Sequence, residues 1–314
     1  MAHTRGPCTL QPFPLLQNAV SVTDPSKPAM GGPSLLGPND PPAFSVHGAH
    51  GDLPALICCD HASRLIPRAL GTLGLSETSL ARHIAWDIGA AELSKHLADR
   101  LGVLAVLAGY SRLVIDCNRQ LDDPTSIAEY SDGEPVPGNV SLPPEQQALR
   151  ARSCFWPYQQ AVGGALSELQ ARGARHSTSP SDAGFAPALI AVHSFTPLMQ
   201  GGAPRPWHVG VLWNVDPRIA VPLIHALRLE SGLIVGDNEP YSGRHPAGYT
   251  IDMHAERRGW PGVSLEIRQD LITDTRGAVE WADRLSAALR PILADDTLYR
   301  PEPAYCSSVS SPNS

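Results

Sequence analysis

Three short and almost uninterrupted apolar runs constrain the fold of this chain more than any other feature. They are LPALICCDH (residues 53–61), APALIAVHSF (186–195) and GVSLEIR (262–268). Apolar runs of this length between turn signals are typical of strands in a sheet that is buried on both faces. Helix-periodic segments separate them, so the sequence predicts a single-domain α/β fold with a mixed, mostly parallel sheet covered by helices on both faces.

The helix-periodic segments have recognisable ends. Four segments are predicted to be helical: residues 75–102, 143–173, 216–232 and 275–293. Ser76 or Thr78 is the expected N-cap of the first and Gly102 its end. We expect Pro157 to break or kink the second helix, and Asp216 to cap the third.

Further short strands and the chain termini complete the predicted organisation. Additional strands are expected at VLAVLAG, SRLVIDC, HVGVLWN and LIVGDN. Residues 1–45 and 296–314 are rich in Pro, Gly and Ser, which predicts an irregular arm and a flexible tail around a domain over 46–295. The polar, Gly/Pro-rich segments 120–143 and 237–261 are long enough to form rims or lids of a site.

Composition excludes several classes of protein. The formal net charge is −7 and no basic stripe is present, so nucleic acid is not an expected partner. The first residues lack the apolar core of a signal peptide, and no apolar stretch approaches the length of a membrane span. We therefore expect a cytoplasmic protein without a membrane partner. The six cysteines form no CxxC pair, which is typical of reduced thiols.

Two histidines at the ends of apolar runs are candidate metal ligands. His61 and His193 each follow a predicted strand, and the carboxyl ends of central strands in such folds form the ligand site. Catalytic zinc usually takes three protein ligands, and Asp87, in an otherwise apolar segment, is the candidate for the third. The alternative is a buried ion pair between Asp87 and Arg112. Asp60 ranks lower because neighbouring residues on a strand point to opposite faces.

Glu266 lies inside the third apolar run, where a carboxylate needs a partner or a function. Burial raises the pKa of such a group, which suits a general base acting on water. Period-two alternation places Arg268 on the same face, either as an ion-pair partner of Glu266 or as a further substrate-binding residue. His254, in a Gly-rich segment before this run, is a candidate to orient substrate or stabilise an oxyanion, although a single loop histidine is more often simply exposed.

The segment SRLVIDCNR carries candidate substrate anchors. Arg112 and Arg119 offer planar guanidinium groups that can grip a carboxylate at two points, and Asn118 adds a hydrogen-bond donor. Such a set suits an anionic substrate. The alternative for Arg119 is a solvated loop arginine. The sequence lacks a GxSxG elbow, a P-loop and a GxGxxG motif.

Taken together, five segments resemble the N-formylglutamate amidohydrolase family. They are CDHASRLIP, HIAWDIGAAEL, SRLVIDCNR, AVHSFTP and GYTIDMHAERRGWPGVSLEIRQD, and the resemblance extends over roughly residues 53–293. The family in turn resembles the zinc carboxypeptidases, which implies a carboxypeptidase-like, phosphorylase/hydrolase-like fold. The resemblance implies His61 and His193 as metal ligands, Glu266 as the base, and the Asn118–Arg119 pair as substrate anchors.

One position departs from the carboxypeptidase pattern. Those enzymes have a glutamate ligand where this sequence has Arg64. Either the third ligand comes from elsewhere, with Asp87 as our choice, or zinc binding is altered here.

The resemblance implies a zinc-dependent amidohydrolase with one Zn²⁺ or a similar divalent ion. Its substrate would be a small acidic N-formyl or N-acyl amino acid of the N-formylglutamate type, cleaved to formate and glutamate. Two alternatives remain: a carboxypeptidase-like or cell-wall peptide amidase, and a non-catalytic binding protein that retains the fold. The sequence does not indicate an oligomeric state.

Overall fold

A seven-stranded mixed sheet forms the centre of the molecule in the computed structural model, which describes residues 34–176, 184–244 and 248–303. Its strands are β1 Phe44–His47, β2 Ala55–Cys59, β3 Leu104–Ala108, β6 Ala188–Phe195, β7 Val209–Leu212, β8 Val235–Asp237 and β9 Gly262–Arg268, and a separate hairpin joins β4 Tyr130–Ser131 to β5 Glu134–Pro135. The sheet order is β1-β3-β2-β6-β9-β7-β8. Strands β3, β2, β6 and β9 run parallel, whereas β1 and the β7–β8 pair run antiparallel to their neighbours.

Helices cover both faces of this sheet. They are α1 Glu77–Leu80, α2 Ala90–Leu101, α3 Pro144–Arg150, α4 Trp156–His176, α5 Ala220–Arg228, α6 Tyr249–His254 and α7 Thr275–Leu293. Helices α2, α5 and α7 pack on one face, where Ile190 and Val192 of β6 point. Helices α4 and α6 lie on the other face with Leu189 and Ala191. The predicted fold class is therefore confirmed.

The apolar runs form strands because both of their faces are covered. Every residue of β2 and of β6 is buried. Burying apolar surface contributes about 25 cal/mol per Å², so alternation with polar residues would be unfavourable in these strands. On the α4/α6 face, His193 of β6 and Glu266 of β9 depart from this apolar pattern, because both are polar and buried.

The prediction of one long helix over 75–102 is wrong for the middle of this segment. Ser76 caps α1 as expected, and Gly102 ends α2 in a left-handed conformation. Between them the chain leaves the helix, because the backbone N–H of Asp87 donates to the His61 carbonyl at 3.0 Å. Gly89 follows at φ 80°, where a Cβ would lie 2.0 Å from the carbonyl oxygen of Ile272. Tertiary contacts thus override helical periodicity at this point.

The strand predicted at SRLVIDC is also wrong. Residues 111–117 form turns, although Leu113, Val114 and Ile115 are buried as expected for an apolar run. Side chains satisfy the carbonyl groups in place of a neighbouring strand: Asn139 donates to Leu113 at 2.9 Å, and Arg150 donates to Val114 at 3.0 Å.

Two other expectations for the helices have different outcomes. A π-helical turn over 151–155 precedes α4, so the predicted interruption near Pro157 is confirmed. Asp216 does not cap α5, which begins at Ala220; its carboxylate instead accepts a hydrogen bond from the backbone N–H of Arg218 at 3.0 Å and forms an ion pair with that side chain.

The predicted arm and tail lie mostly outside the described residues, because 1–33 and 304–314 are not described. Within the described part, Phe44 already belongs to β1, and Leu298 and Tyr299 pack against the core. The cysteines at 58, 59, 117 and 154 are buried free thiols, as expected. None of the described helices combines the length and the apolar character needed to cross a bilayer.

Candidate active site

A cavity of about 260 Å³ lies on the α4/α6 face of the sheet, over β6, β9 and β7. The sheet contributes Ala191, His193, Leu212, Ser264 and Glu266 to its floor. The predicted candidates His61, Asp87, Arg112, Asn118 and Arg119 also line it. The structure therefore brings most of the predicted site residues to one place.

Asp87 joins the two histidines at the inner end of this cavity. Its Oδ2 atom lies 3.2 Å from Nδ1 of His61 and 2.9 Å from Nδ1 of His193. All three side chains are buried, and their possible ligand atoms lie within 4.8 Å of one another. Ligand atoms bound at about 2.0–2.1 Å to one tetrahedral ion are themselves about 3.3 Å apart. Two imidazoles and one carboxylate with this spacing fit a single zinc-like ion.

Two further carboxylates lie behind the histidines. Oδ1 of Asp116 lies 2.7 Å from Nε2 of His61, and Oδ2 of Asp60 lies 3.2 Å from Nε2 of His193. Thr250 in turn donates from Oγ1 to Oδ1 of Asp60 at 2.6 Å. The hydrogen bond with Asp116 holds the His61 imidazole with Nδ1 directed towards Asp87, an arrangement common behind metal-binding histidines. Asp60 lies at ion-pair distance from the corresponding side of the His193 ring.

Sequence reasoning missed both of these supporting carboxylates. Asp60 ranked low because of strand alternation, but β2 ends at Cys59, and Asp60 and His61 form a turn to which alternation does not apply. Asp116 lies in the segment SRLVIDCNR, where the predicted functional residues were Arg112, Asn118 and Arg119. An aspartate directly after an apolar run was the signal available for Asp60.

The electrostatics of this cluster favour a bound cation. Burial opposes charge on His61, but the carboxylates of Asp116 and Asp87 outweigh it and raise its pKa. Burial also opposes charge on His193, and contacts with Asp60 and Asp87 raise its pKa well above the usual value. Burial would likewise raise the pKa of each aspartate, but the neighbouring positive groups lower it instead. Three buried carboxylates thus act together on two imidazoles.

Glu266 lies beside this cluster, because β9 pairs with β6 in a register that places it opposite His193. It is 8% exposed, and its Oε2 atom accepts no hydrogen bond from a described residue. Burial raises the pKa of Glu266 to about 7, with Asp87 adding to the effect and His193 opposing it. A carboxylate with this pKa can both accept and release a proton near neutral pH.

The alternatives considered for the arginines have separate outcomes. Arg268 does not pair with Glu266; it forms an ion pair with Asp270 at 2.8 Å and is not among the cavity-lining residues. Arg112 binds Asp116 at 2.6 Å and lies 3.8 Å from Oδ1 of Asp87, so the proposed Asp87–Arg112 contact is present as well. Its guanidinium group therefore lies beside the His61–Asp87–His193 cluster and lines the same cavity.

Asn118 and Arg119 line the cavity next to the start of α6. Oδ1 of Asn118 accepts a hydrogen bond from the backbone N–H of Thr250 at 3.1 Å. A Cβ at Gly248 would lie 2.6 Å from this oxygen, so the close approach of the two segments requires glycine there. Arg119 donates to the Asn118 carbonyl at 3.3 Å and has no ion-pair partner among the described residues. This guanidinium group is therefore available to a ligand.

His254 lies apart from the other candidates. Its Nε2 atom is 2.7 Å from Oε1 of Gln159, and its ring packs against Gly163 of α4. Burial lowers its pKa to about 3, so the ring is neutral. It is not among the residues that line the cavity.

The segment predicted to form a rim over 237–261 does contribute to the cavity wall. It supplies Tyr241, Asp252 and Glu256, and the chain after β7 adds Trp213 and Asn214. None of these was a candidate from the sequence, because a polar residue in a long loop carries no signal of where the loop folds. The other predicted rim, 120–143, supplies none of the described lining residues.

Comparisons with known proteins identify the family to which the chain belongs. The family model of N-formylglutamate amidohydrolases matches residues 53–273, well over half of the chain. Gene product Atu2144 from Agrobacterium tumefaciens is 30% identical with a TM-score of 0.76, over 83% of this chain and 98% of that one.

A second solved structure shows the same fold at lower identity. The N-formylglutamate amidohydrolase from Ralstonia eutropha JMP134 is 17% identical with a TM-score of 0.51, over 80% of this chain and 97% of that one. No curated protein matches the sequence. On the strength of the family match and of the A. tumefaciens relative, this chain belongs to the N-formylglutamate amidohydrolase family of hydrolases.

Proposed function

We propose that this protein hydrolyses the amide bond of a small N-formyl or N-acyl amino acid with the help of one divalent ion, zinc or a similar metal. The observation that carries the proposal is the buried His61–Asp87–His193 cluster, with Glu266 beside it, in a cavity that also exposes Arg119. The proposed ligands are these two histidines and Asp87. The chemistry that such an ion supplies is polarisation of the substrate carbonyl and easier ionisation of water.

Glu266 is the proposed proton carrier. Its unpartnered oxygen can accept a proton from the attacking water as the new C–O bond forms at the carbonyl carbon. The same proton then passes to the amide nitrogen as the C–N bond breaks, which releases formate and a free amine. A pKa of about 7 suits both halves of this transfer.

The arginines have two proposed roles. Arg119 and Asn118 bind the substrate carboxylate, since Arg119 is the lining cation that no described carboxylate neutralises. Arg112, held by Asp116 and 3.8 Å from Asp87, supplies positive charge near the carbonyl oxygen, where negative charge develops during the attack.

The size of the cavity favours a small substrate over a peptide. At about 260 Å³ it lies just below the range of roughly 300–1,000 Å³ that is usual for drug-sized ligands. A peptide would require an open groove, so the carboxypeptidase-like alternative receives less support. A non-catalytic role would give no function to Glu266, whose pKa burial raises to about 7.

The test is hydrolysis of N-formyl amino acids by the full-length protein, with metal removed by chelation and then restored. We expect formate release that depends on metal and returns with about one equivalent of Zn²⁺. Metal-independent turnover would contradict the metal role. Absence of turnover on every N-formyl and N-acetyl amino acid, with metal bound, would contradict the reaction.

A further inference from the structure

The charged side chains that line the cavity differ in whether they have an ion-pair partner within the protein. Two arginines line the cavity among the described residues, and one of them, Arg112, is neutralised by Asp116. Arg119 has no ion-pair partner in the described part of the chain. Among the described residues, the cavity therefore offers one guanidinium group without an ion-pair partner, enough for a single substrate carboxylate.

The wall formed by α6 and the following turn carries acidic side chains. Asp252 is buried and forms an ion pair with Arg257 at 2.9 Å. Glu256 is only 5% exposed, and its partners are the neutral donors Asn214 Nδ2 at 3.1 Å and the Val215 N–H at 3.4 Å. No ion pair joins Glu256 to a described residue, so its charge is not compensated by the protein.

Resting on the proposed function, we propose that the substrate side chain ends in a cationic hydrogen-bond donor, such as an ammonium or guanidinium group, that binds Glu256. The substrate would thus be an N-formyl or N-acyl basic amino acid with one carboxylate on Arg119, in place of a dicarboxylate. Burial raises the pKa of Glu256, and a substrate cation would offset this cost of holding a buried charge.

The geometry of the floor supports this orientation. Ser264 lines the cavity two residues before Glu266 on β9, about 6–7 Å further along the strand. Leu212 is paired with Ser264, and β7 then leads into Trp213 and Asn214, the partner of Glu256. In the proposed orientation, a lysine or arginine side chain of the substrate would run along this floor from the reacting amide towards Asn214 and Glu256.

Among the described residues, the cavity has no site comparable to Arg119 for a second substrate carboxylate. Directed towards Glu256 it would meet a buried like charge, and directed towards Arg112 it would compete with Asp116. Arg244 lies over the Trp213 ring at 5.1 Å but does not itself line the cavity. The described residues thus favour a substrate with one positive and one negative end.

The test compares N-formyl-L-arginine, N-formyl-L-glutamine and N-formyl-L-glutamate as substrates of the full chain with zinc. We expect kcat/KM to fall in that order, with arginine preferred over glutamate by on the order of 100-fold. Glu256→Gln should reduce this ratio by at least about tenfold while keeping the shape of the wall. Glu230→Gln is the matched control, because it removes the same charge from the α5/α7 face, where Glu230 pairs with Arg284.

A binding measurement separates this inference from the reaction itself. Calorimetric titration of the Glu266→Gln protein with the same three compounds reports affinity without turnover. If binding follows the expected order but no compound is hydrolysed, the proposed reaction fails and the inference stands. A preference for N-formylglutamate in either assay, an unchanged ratio in Glu256→Gln, or binding of none of the three would overturn the inference.

Discussion

Asp116 and His61 are joined by a hydrogen-bond contact of 2.7 Å between Oδ1 and Nε2, at the side of the imidazole that faces away from Asp87. This contact leaves Nδ1 of His61 directed into the cluster. The second carboxylate oxygen of Asp116 binds Arg112 at 2.6 Å. One aspartate therefore orients a proposed metal ligand and a cavity arginine together.

Replacing this aspartate should weaken metal binding. In Asp116→Asn we expect the zinc affinity to fall about 10- to 100-fold, because the amide supports the imidazole less well. Competition with a chromophoric chelator measures the affinity directly. Asp123→Asn, in the exposed loop nearby, is a suitable control. Wild-type affinity in Asp116→Asn would show that the contact does not orient His61 for a metal.

Glu266→Gln should lower turnover by orders of magnitude and leave metal binding intact. Only the proton acceptor is lost, and general-base catalysis typically contributes about 10²- to 10⁴-fold. The measurements are kcat on an N-formyl amino acid and zinc content by atomic emission. Glu230→Gln should retain the wild-type rate. A rate within a few-fold of wild type in Glu266→Gln would remove this residue from the mechanism.

Arg119→Ala should act mainly on substrate affinity. Losing a charge-assisted hydrogen bond of about 1.5–3 kcal/mol raises KM by roughly 10- to 100-fold for substrates with a free carboxylate. The corresponding carboxamide substrates report the specificity of this effect, since they lack the charge. An equal loss on both substrate types would indicate that Arg119 has a structural role instead.

His254 should make the protein less stable in acid. Its folded-state pKa, lowered by burial to about 3, lies below the value near 6.5 expected in the unfolded chain. The unfolded state therefore binds a proton that the native state rejects, and stability falls as the pH decreases from about 6.5 towards 3. At pH 5 the penalty amounts to about 2 kcal/mol.

Urea unfolding at pH 7 and pH 5 measures this dependence. In His254→Gln, which can still donate to Gln159, the loss of stability between the two pH values should shrink by about 2 kcal/mol. Replacement of the exposed His225 on α5 provides the comparison and should leave the loss unchanged. The same shrinkage in both variants would assign the acid sensitivity to other groups.

The sequence allowed a correct prediction of the features that depend on local pattern. The strands that carry His193 and Glu266 were recognisable because a doubly covered sheet demands nearly continuous apolar residues. Asp87 stood out because an unpaired carboxylate in an apolar segment is costly.

What the sequence could not show are contacts made by distant segments. The break in the helix at Asp87 depends on the His61 carbonyl, 26 residues earlier, and no local propensity reports it. Glu256 reaches the cavity because α6 packs on the sheet beside β6 and β9. Such placements follow from tertiary packing, which periodicity alone does not encode.

Thr250, in the first turn of α6, contacts two residues of the site, one behind His193 and one beside Arg119. Its hydroxyl group donates to Asp60 behind His193, and its backbone N–H donates to the Asn118 side chain beside Arg119. Any displacement of this turn would disturb both contacts at once. The proposed metal site and the proposed carboxylate-binding residues are thus connected through one threonine, and we expect a substitution at position 250 to change metal affinity and KM together.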